Sequence, residues 1–144
     1  MSVEENTAIT LRFAQIWGQG SLELIDEYAS PDIAVTYPLL PATVHGPEAF
    51  KEVIRGIRSA IPDVECEVHE TIAQGDKVVG RWTMRGTQTG ELNGIPPTGK
   101  QVTLTGITIY RMVNGKVVEE SGEENALGFL QQLGVIPTPE QVSA

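Results

Sequence analysis

Apolar residues follow a helical period in three stretches of the first half of the chain and in one near its end. The first stretch carries them at positions i, i+4, i+7 and i+8: Ile9, Phe13, Ile16 and Trp17. A shorter stretch follows at Leu24, Ile25 and Tyr28, a third at Phe50, Val53, Ile54, Ile57 and Ile61, and the last at Ala126, Leu127, Leu130 and Leu133. Pro47 suits the first turn of the third stretch, where a missing N–H is not needed. The sequence therefore predicts four helices.

The period changes to two after Pro62. Apolar Val64, Cys66 and Val68 alternate with Glu65, Glu67 and His69, as in a strand with one buried and one wet face. Further strands are predicted over 78–88, 101–113 and 116–121, and a short one over 33–37. The Asn114-Gly115 pair between the last two strands predicts a type I′ hairpin, since both residues tolerate a positive φ. The Gly- and Pro-rich stretches 38–46 and 89–99 are predicted to be loops.

This order of elements predicts the fold class. Helices followed by a run of antiparallel strands and a short closing helix indicate an α+β domain rather than a parallel α/β one. The chain of 144 residues is 40% hydrophobic, which suits one domain with its own core. We expect that domain over residues 1–136 and a flexible tail over 137–144, which is short and polar and holds two prolines.

Charge and cysteine content narrow the possible partners. The formal net charge of −9 argues against nucleic acid or an anionic membrane as a partner, because both would repel an acidic surface. The single cysteine, Cys66, cannot form an internal disulfide. No apolar run follows a basic start, so we expect neither a signal peptide nor a spanning helix, and a cytoplasmic location.

No motif for a metal or an organic cofactor is found. The glycines at 90, 94 and 99 do not lie between a strand and a helix, and one cysteine cannot build a cysteine-rich metal site. We therefore predict no cofactor and no metal. Acid–base chemistry by carboxylates, histidines and amides in an apolar pocket remains, with a small molecule as the partner.

Several aromatic residues have two equally good interpretations. Tyr37, Trp82 and Tyr110 can form the wall of a ligand pocket or simply fill the core. Arg81 alternates with Trp82 along its strand, so one of the two faces inward. An inward-facing arginine would need a carboxylate partner, and Glu120 is a candidate.

The span from Gly86 to Gly134 carries the most specific motifs. It contains Gly-Thr-Gln-Thr-Gly, then Gly-Ile-Pro-Pro-Thr-Gly-Lys, the Asn-Gly hairpin and the ending Leu-Gln-Gln-Leu-Gly. On these motifs the chain resembles the SnoaL-like polyketide cyclases of the nuclear-transport-factor-2-like superfamily. The resemblance implies a cone-shaped, curved antiparallel sheet packed with three to four helices around a deep apolar pocket. It also implies a homodimer formed through the outer face of the sheet.

The same resemblance implies site residues. The family pattern Gly-Lys-Ile-Val-Glu-His-Trp-Asp, laid on the last strand without gaps, puts its histidine on Glu120 and its acid/base aspartate on Gly122. Glu120 becomes the catalytic candidate, unless it belongs to a solvated acidic run. Gln88 stands where a histidine is usual, so it can orient a carbonyl but not carry a proton, or it is a loop residue bonded to backbone. His45 matches a family histidine that lines the pocket rim or bonds the loop.

These assignments lead to three alternatives for function. The first is a cyclase or isomerase that acts by acid–base catalysis on an apolar carbonyl compound. The second is a binding protein that kept the pocket and lost the proton-transfer pair. The third, an epoxide hydrolase or dehydratase, would need Arg81 beside a pair of carboxylates and ranks last. The fold alone does not decide among them.

Overall fold

The computed structural model describes residues 1–143, which form five α-helices and six β-strands. The helices are α1 Val3–Phe13, α2 Glu23–Tyr28, α3 Pro47–Ala60, α4 Ala126–Gln132 and α5 Pro139–Ser143, and a 3₁₀ turn, Ala14–Trp17, continues α1. The strands are β1 Ala29–Thr36, β2 Val44–His45, β3 Glu65–Gln74, β4 Lys77–Thr87, β5 Gln101–Val113 and β6 Lys116–Glu124. All four predicted helices and all five predicted strands are present, and β2 and α5 were not predicted.

Local sequence explains where several elements begin and turn. Ser2 and Glu5 form a reciprocal capping box that satisfies free N–H groups at the start of α1. Gly46, with a φ of 87°, turns the chain into Pro47, the first residue of α3. Asn114 and Gly115 have φ values of 49° and 76°, which confirms the positive-φ turn between β5 and β6.

The six strands form one sheet in the order β2-β1-β6-β5-β4-β3. Four of the five pairings are antiparallel, and β1 runs parallel to β6. The sheet is therefore mixed, which corrects the expectation of a purely antiparallel one. Alternating residues show which positions of a strand share a face, but they do not reveal which strand will be its neighbour or in which direction.

The two faces of the sheet have different surroundings. Register shifts interrupt the pairings β1–β6, β3–β4 and β5–β6, and such bulges bend strands. The inner face is covered by helices: α1 packs against β3 and β4, α3 against β1 and β2, and α4 against β5. On the outer face, Ile72, Ile107, Ile109 and Val113 are exposed. No helix among the described residues is long and apolar enough to span a membrane.

The C-terminal segment contains a helix that the sequence did not predict. Residues 139–143 form the short helix α5. Thr138 and Gln141 bond each other's backbone N–H groups with their side chains, which caps the start of this helix. None of its residues is buried, so α5 adds little to the core.

Candidate active site

A largely apolar cavity of about 710 Å³ lies between the inner face of the sheet and the helices. Its wall includes the aromatic residues Trp17, Tyr37, Trp82, Tyr110 and Phe129. Tyr37, Trp82 and Tyr110 were candidates for either wall or core, and in the structure they are both buried and part of the wall. Among the described lining residues there is no lysine, arginine or histidine, whereas Glu52, Glu91 and Glu124 are present. The cavity is therefore suited to a ligand without negative charge.

Glu120 is buried behind this aromatic wall. Its position on β6 faces inward, between the exposed residues Glu119 and Ser121, and the residue has 0% exposure. Its Oε2 accepts hydrogen bonds from Trp17 Nε1 at 2.6 Å and from the Tyr37 hydroxyl at 2.5 Å. Its Oε1 has no hydrogen-bond partner among the described residues. One carboxylate oxygen is thus held by two donors and the other is free.

The protonation of Glu120 follows from this burial. Removal from water raises the pKa of the Glu120 carboxyl from 4.5 to about 7, although the bonds from Tyr37 and Trp17 act in the opposite direction. Burial and the nearby Glu120 charge also raise the pKa of Tyr37 and of Tyr110 well above the usual range. Burial raises the pKa of the Cys66 thiol to about 12. Of these buried groups, Glu120 is the one that changes charge near neutral pH.

A hydrogen-bonded chain connects Glu120 to a second tryptophan. Trp82 Nε1 donates to Thr108 Oγ1 at 2.9 Å, and Thr108 Oγ1 lies 2.8 Å from the Tyr37 hydroxyl oxygen. The rings also touch edge to face, with centroids 5.3 Å apart for Trp17 and Tyr37 and 6.4 Å apart for Tyr37 and Trp82. Thr108, with 0% exposure, is a polar residue in the middle of the inner face.

A glycine beside Thr108 makes room for the Tyr37 ring. Gly80 on β4 and Gly122 on β6 are the direct cross-strand partners of Thr108. A Cβ on Gly122 would lie 2.1 Å from a ring carbon of Tyr37. The missing side chain at position 122 is therefore the space in which the Tyr37 ring sits.

Gln88 is fully occupied within the loop between β4 and β5. Its Nε2 donates to the carbonyls of Gly90, Ile95 and Pro96, and its Oε1 accepts from the backbone N–H and the hydroxyl of Thr98. The residue is completely buried and is not part of the cavity wall. This geometry matches the alternative in which Gln88 is a loop residue bonded to backbone.

Two other candidates lie away from the cavity. His45 is exposed on β2, where it pairs with Ala34 of β1. Arg81 is exposed on the outer face of β4 and forms an ion pair with Glu70, with Nε and Oε1 2.8 Å apart. The interpretation of Arg81 as a pocket residue paired with Glu120 is therefore corrected: strand alternation puts Trp82 inside and Arg81 outside.

Residues 7–133 match the family described as SnoaL-like polyketide cyclase. The chain belongs to this family. The match covers all six strands and α4, and it confirms the resemblance drawn from the sequence.

Curated relatives of this SnoaL-like protein are ester cyclases. It is 29% identical over 122 residues to the nogalonic acid methyl ester cyclase of Streptomyces nogalater, an alignment that covers 80% of this chain and 87% of the relative. It is 31% identical over 116 residues to the aklanonic acid methyl ester cyclase DnrD of Streptomyces peucetius, covering 79% and 77% of the two chains.

Solved structures share its fold. AclR from Streptomyces galilaeus, proposed to be a hydroxylase, superposes with a TM-score of 0.83 at 31% identity, covering 99% of this chain and 88% of that one. TsrD from Streptomyces laurentii gives a TM-score of 0.83 at 26% identity, with coverage of 94% and 99%.

Sequence reasoning missed two residues of this SnoaL-like site. Trp17 was predicted only as an apolar position of the first helical stretch, but it lines the cavity and bonds Glu120. Thr108 was not singled out within the strand predicted over 101–113. An isolated polar residue among Val102, Leu104, Tyr110 and Met112 on the inner face of β5 was the signal available for it, since a buried hydroxyl needs a partner.

Proposed function

We propose that this protein catalyses ring closure of a neutral, largely apolar carbonyl compound by acid–base catalysis, with Glu120 as the group that takes and returns the proton. The observation that carries the proposal is a carboxyl group with one free oxygen and a pKa of about 7, buried directly behind the wall of an apolar cavity. A carboxyl group with a pKa near the working pH can act both as a base and as an acid.

The proposed reaction conserves all atoms. Ionised Glu120 removes a proton from a carbon next to a carbonyl group, and the electron pair of the broken C–H bond spreads into that carbonyl as an enolate. The enolate carbon forms a bond to a second carbonyl carbon of the same molecule. The alkoxide that results takes the proton back from Glu120, so the product is an isomer of the substrate.

The charge of the cavity wall and the names of the relatives support a substrate class. The described cavity wall has three glutamates and no cationic side chain, so a free carboxylate would enter against repulsion and without a partner. The relatives are named for methyl esters, in which that charge is absent. We propose a polyketide-like ester similar in size to the methyl esters for which the relatives are named. Tyr37, Trp82 and Tyr110 are the residues proposed to contact its rings.

The remaining candidates receive different roles. We propose that Gln88 shapes the cavity by holding the loop that supplies Leu92 and Ile95 to the wall. His45 and Arg81 receive no role in the reaction, because both are exposed.

The decisive experiment incubates wild type, Glu120→Gln and Glu119→Gln with a panel of neutral polyketide methyl esters and their free acids. Glu119 is a matched control, because this neighbouring glutamate faces outward and pairs with Arg111. An isomeric product, detected by a shifted retention time at unchanged mass, is expected from wild type and Glu119→Gln and not from Glu120→Gln. Equal product from all three proteins would refute the assignment of Glu120.

A binding protein is the second candidate function. It is favoured by one observation, namely that the position of the family's acid/base aspartate is Gly122 and is filled by the Tyr37 ring. Chromatography of the recovered ligand separates the two candidates, since a binding protein would return each bound ester unchanged. A hydrolase or dehydratase would instead change the mass of the ligand by one water molecule.

We also propose a homodimer formed through the outer face of the sheet. Ile107 and Ile109, in the middle of β5, are about half exposed there, next to the uncharged residues Thr103 and Thr105. We propose a cytoplasmic location as well, since the single cysteine needs no oxidising compartment.

A further inference from the structure

Thr108 belongs to the hydrogen-bond chain that ends at Glu120, and the proposed reaction assigns it no role. It lies on β5 between Tyr37 and the indole of Trp82, and its side chain contacts both. The residue is completely buried, so these contacts are available without competition from bulk water.

The direction of each bond in the chain follows from donor counting. An indole N–H can only donate, so Thr108 Oγ1 accepts from Trp82 and Glu120 Oε2 accepts from Trp17. The single hydroxyl proton of Tyr37 is donated to Glu120 Oε2. The Tyr37 oxygen is then left as an acceptor, and the Thr108 hydroxyl, with its oxygen 2.8 Å away, can donate to it.

This arrangement decides which oxygen of Glu120 takes up a proton. Oε2 already accepts two donors, whereas Oε1 has no partner among the described residues. A proton on Oε1 leaves every other bond of the chain pointing in the same direction. Glu120 can therefore gain and lose its proton without rearrangement of Tyr37, Thr108 or either tryptophan.

We propose that Thr108 is a positioning residue for Glu120: it orients the Tyr37 hydroxyl so that Oε2 stays occupied and proton exchange takes place at Oε1. The inference rests on the proposed function for its catalytic meaning. Its test needs no substrate, so a failure here and a failure of the proposed reaction are distinguishable.

The surroundings of Glu120 leave one group that titrates near neutrality. The titratable groups that face it are Tyr37 after β1, Cys66 on β3 and Tyr110 on β5, and burial raises the pKa of each of them above its usual range. Glu124, further along β6, accepts a bond from Leu39 N–H, and burial raises its pKa as well. Any pH effect of Glu124 would persist in Glu120→Gln, so this variant separates the contribution of Glu124 from that of Glu120.

The two tryptophans of the chain make the test direct. Each indole N–H gives one peak in a ¹H–¹⁵N spectrum of the labelled protein; Trp17 reports the Glu120 end of the chain and Trp82 the Thr108 end. In wild type both peaks should shift with pH at one common midpoint, and Glu120→Gln should abolish both shifts. Different midpoints for the two peaks would overturn the proposal.

Variants of Thr108 test its role. Thr108→Val should abolish the pH shift of the Trp82 peak and raise the midpoint seen at Trp17 by about 0.1–0.6 of a pH unit, because the Tyr37 bond loses its cooperative support. Thr108→Ser should restore the pH shift of the Trp82 peak and the wild-type midpoint at Trp17. Tyr37→Phe should also abolish the pH shift of the Trp82 peak. It should raise the midpoint at Trp17 by about 1–2 pH units, since a hydrogen bond to the ionised form of Glu120 is lost.

Thr83→Val is the matched control, because Thr83 is a buried threonine on the adjacent strand whose hydroxyl contacts His69 instead. It should leave both peaks as in wild type. A Trp82 peak that still titrates in Thr108→Val, or a Thr108→Ser variant that behaves like Thr108→Val, would show that Thr108 does not position Glu120. If Thr108→Val does not fold, Thr108→Ser and Tyr37→Phe still decide the question.

Discussion

The ring of Tyr37 lies directly on the α-carbon of Gly122, so that a Cβ at position 122 would come within 2.1 Å of a ring carbon. The same ring carries the hydroxyl that bonds Glu120 and contacts Thr108. Position 122, where the family pattern has an aspartate, thus supports the glutamate two residues earlier by leaving space. The missing side chain at position 122 and the burial of Glu120 are parts of one arrangement.

Replacing Gly122 should therefore be costly. Gly122→Ala should lower the free energy of unfolding by about 2 kcal/mol, because the Tyr37 ring must shift away from a tightly packed position. Urea denaturation measures this change. Gly56→Ala is the control: no atom lies within 4 Å of a Cβ on this residue of α3, so alanine should raise the free energy of unfolding by about 0.5–1 kcal/mol. Equal effects at the two positions would contradict the packing argument.

Glu120 should make the stability of the protein depend on pH. Its folded-state pKa of about 7 is above the ordinary value of 4.5, so the unfolded chain loses this proton first as the pH rises. The contribution of Glu120 to stability is full below pH 4.5 and is lost progressively up to about pH 7. Between pH 5 and pH 8 this loss amounts to about 2–3 kcal/mol in the free energy of unfolding.

Glu120→Gln removes that dependence, because the amide does not titrate. Urea denaturation at pH 5 and pH 8 should show a decrease in wild type that exceeds the decrease in the variant by the same 2–3 kcal/mol. Glu119→Gln, at an exposed position, should behave like wild type. Parallel pH profiles for wild type and Glu120→Gln would mean that the carboxyl group is not buried as described.

Gln88 should be important for stability and not for proton transfer. Gln88→Ala leaves several loop carbonyls and Thr98 without partners and should cost about 3 kcal/mol in the free energy of unfolding. Gln88→Glu should cost at least as much, since it points a second acceptor at carbonyl oxygens. Limited proteolysis should cut both variants faster within residues 89–99.

The control for Gln88 is Gln101→Ala, an exposed change at the start of β5 that should alter the free energy of unfolding by less than about 0.5 kcal/mol. A Gln88→Ala protein as stable and as protease-resistant as Gln101→Ala would show that the loop does not depend on this amide.

The outer face of the sheet should determine the oligomeric state. Ile109→Lys introduces a charge in the middle of the proposed interface, so light scattering should report a monomer for this variant and a dimer for wild type. Leu127→Lys on α4 is the matched control, with an exposed apolar residue away from β5's outer face. A monomeric wild type, or a dimer that survives Ile109→Lys, would rule out this interface.

The sequence predicted the helices and strands well where the apolar period was long. α3 and β5 were recognised because their apolar period, helical in α3 and alternating in β5, extends over more than ten residues. The Asn114-Gly115 hairpin was recognised because its turn chemistry is local. β2 was missed, since two residues of strand between prolines carry no periodic signal. The parallel pairing of β1 with β6 was missed because pairing depends on residues that are more than 80 positions apart.

By itself the sequence determined the class of the fold, the family and the two faces of β6, because those follow from local alternation and from short motifs. Only the tertiary structure decided that Glu120 faces the cavity side, that Arg81 faces solvent, and that Trp17, Tyr37 and Thr108 converge on one carboxyl group. Burial, hydrogen bonds between side chains and close packing arise when segments that are distant in sequence come together. The pKa of Glu120 therefore depends on the tertiary structure and not on any single segment of the chain.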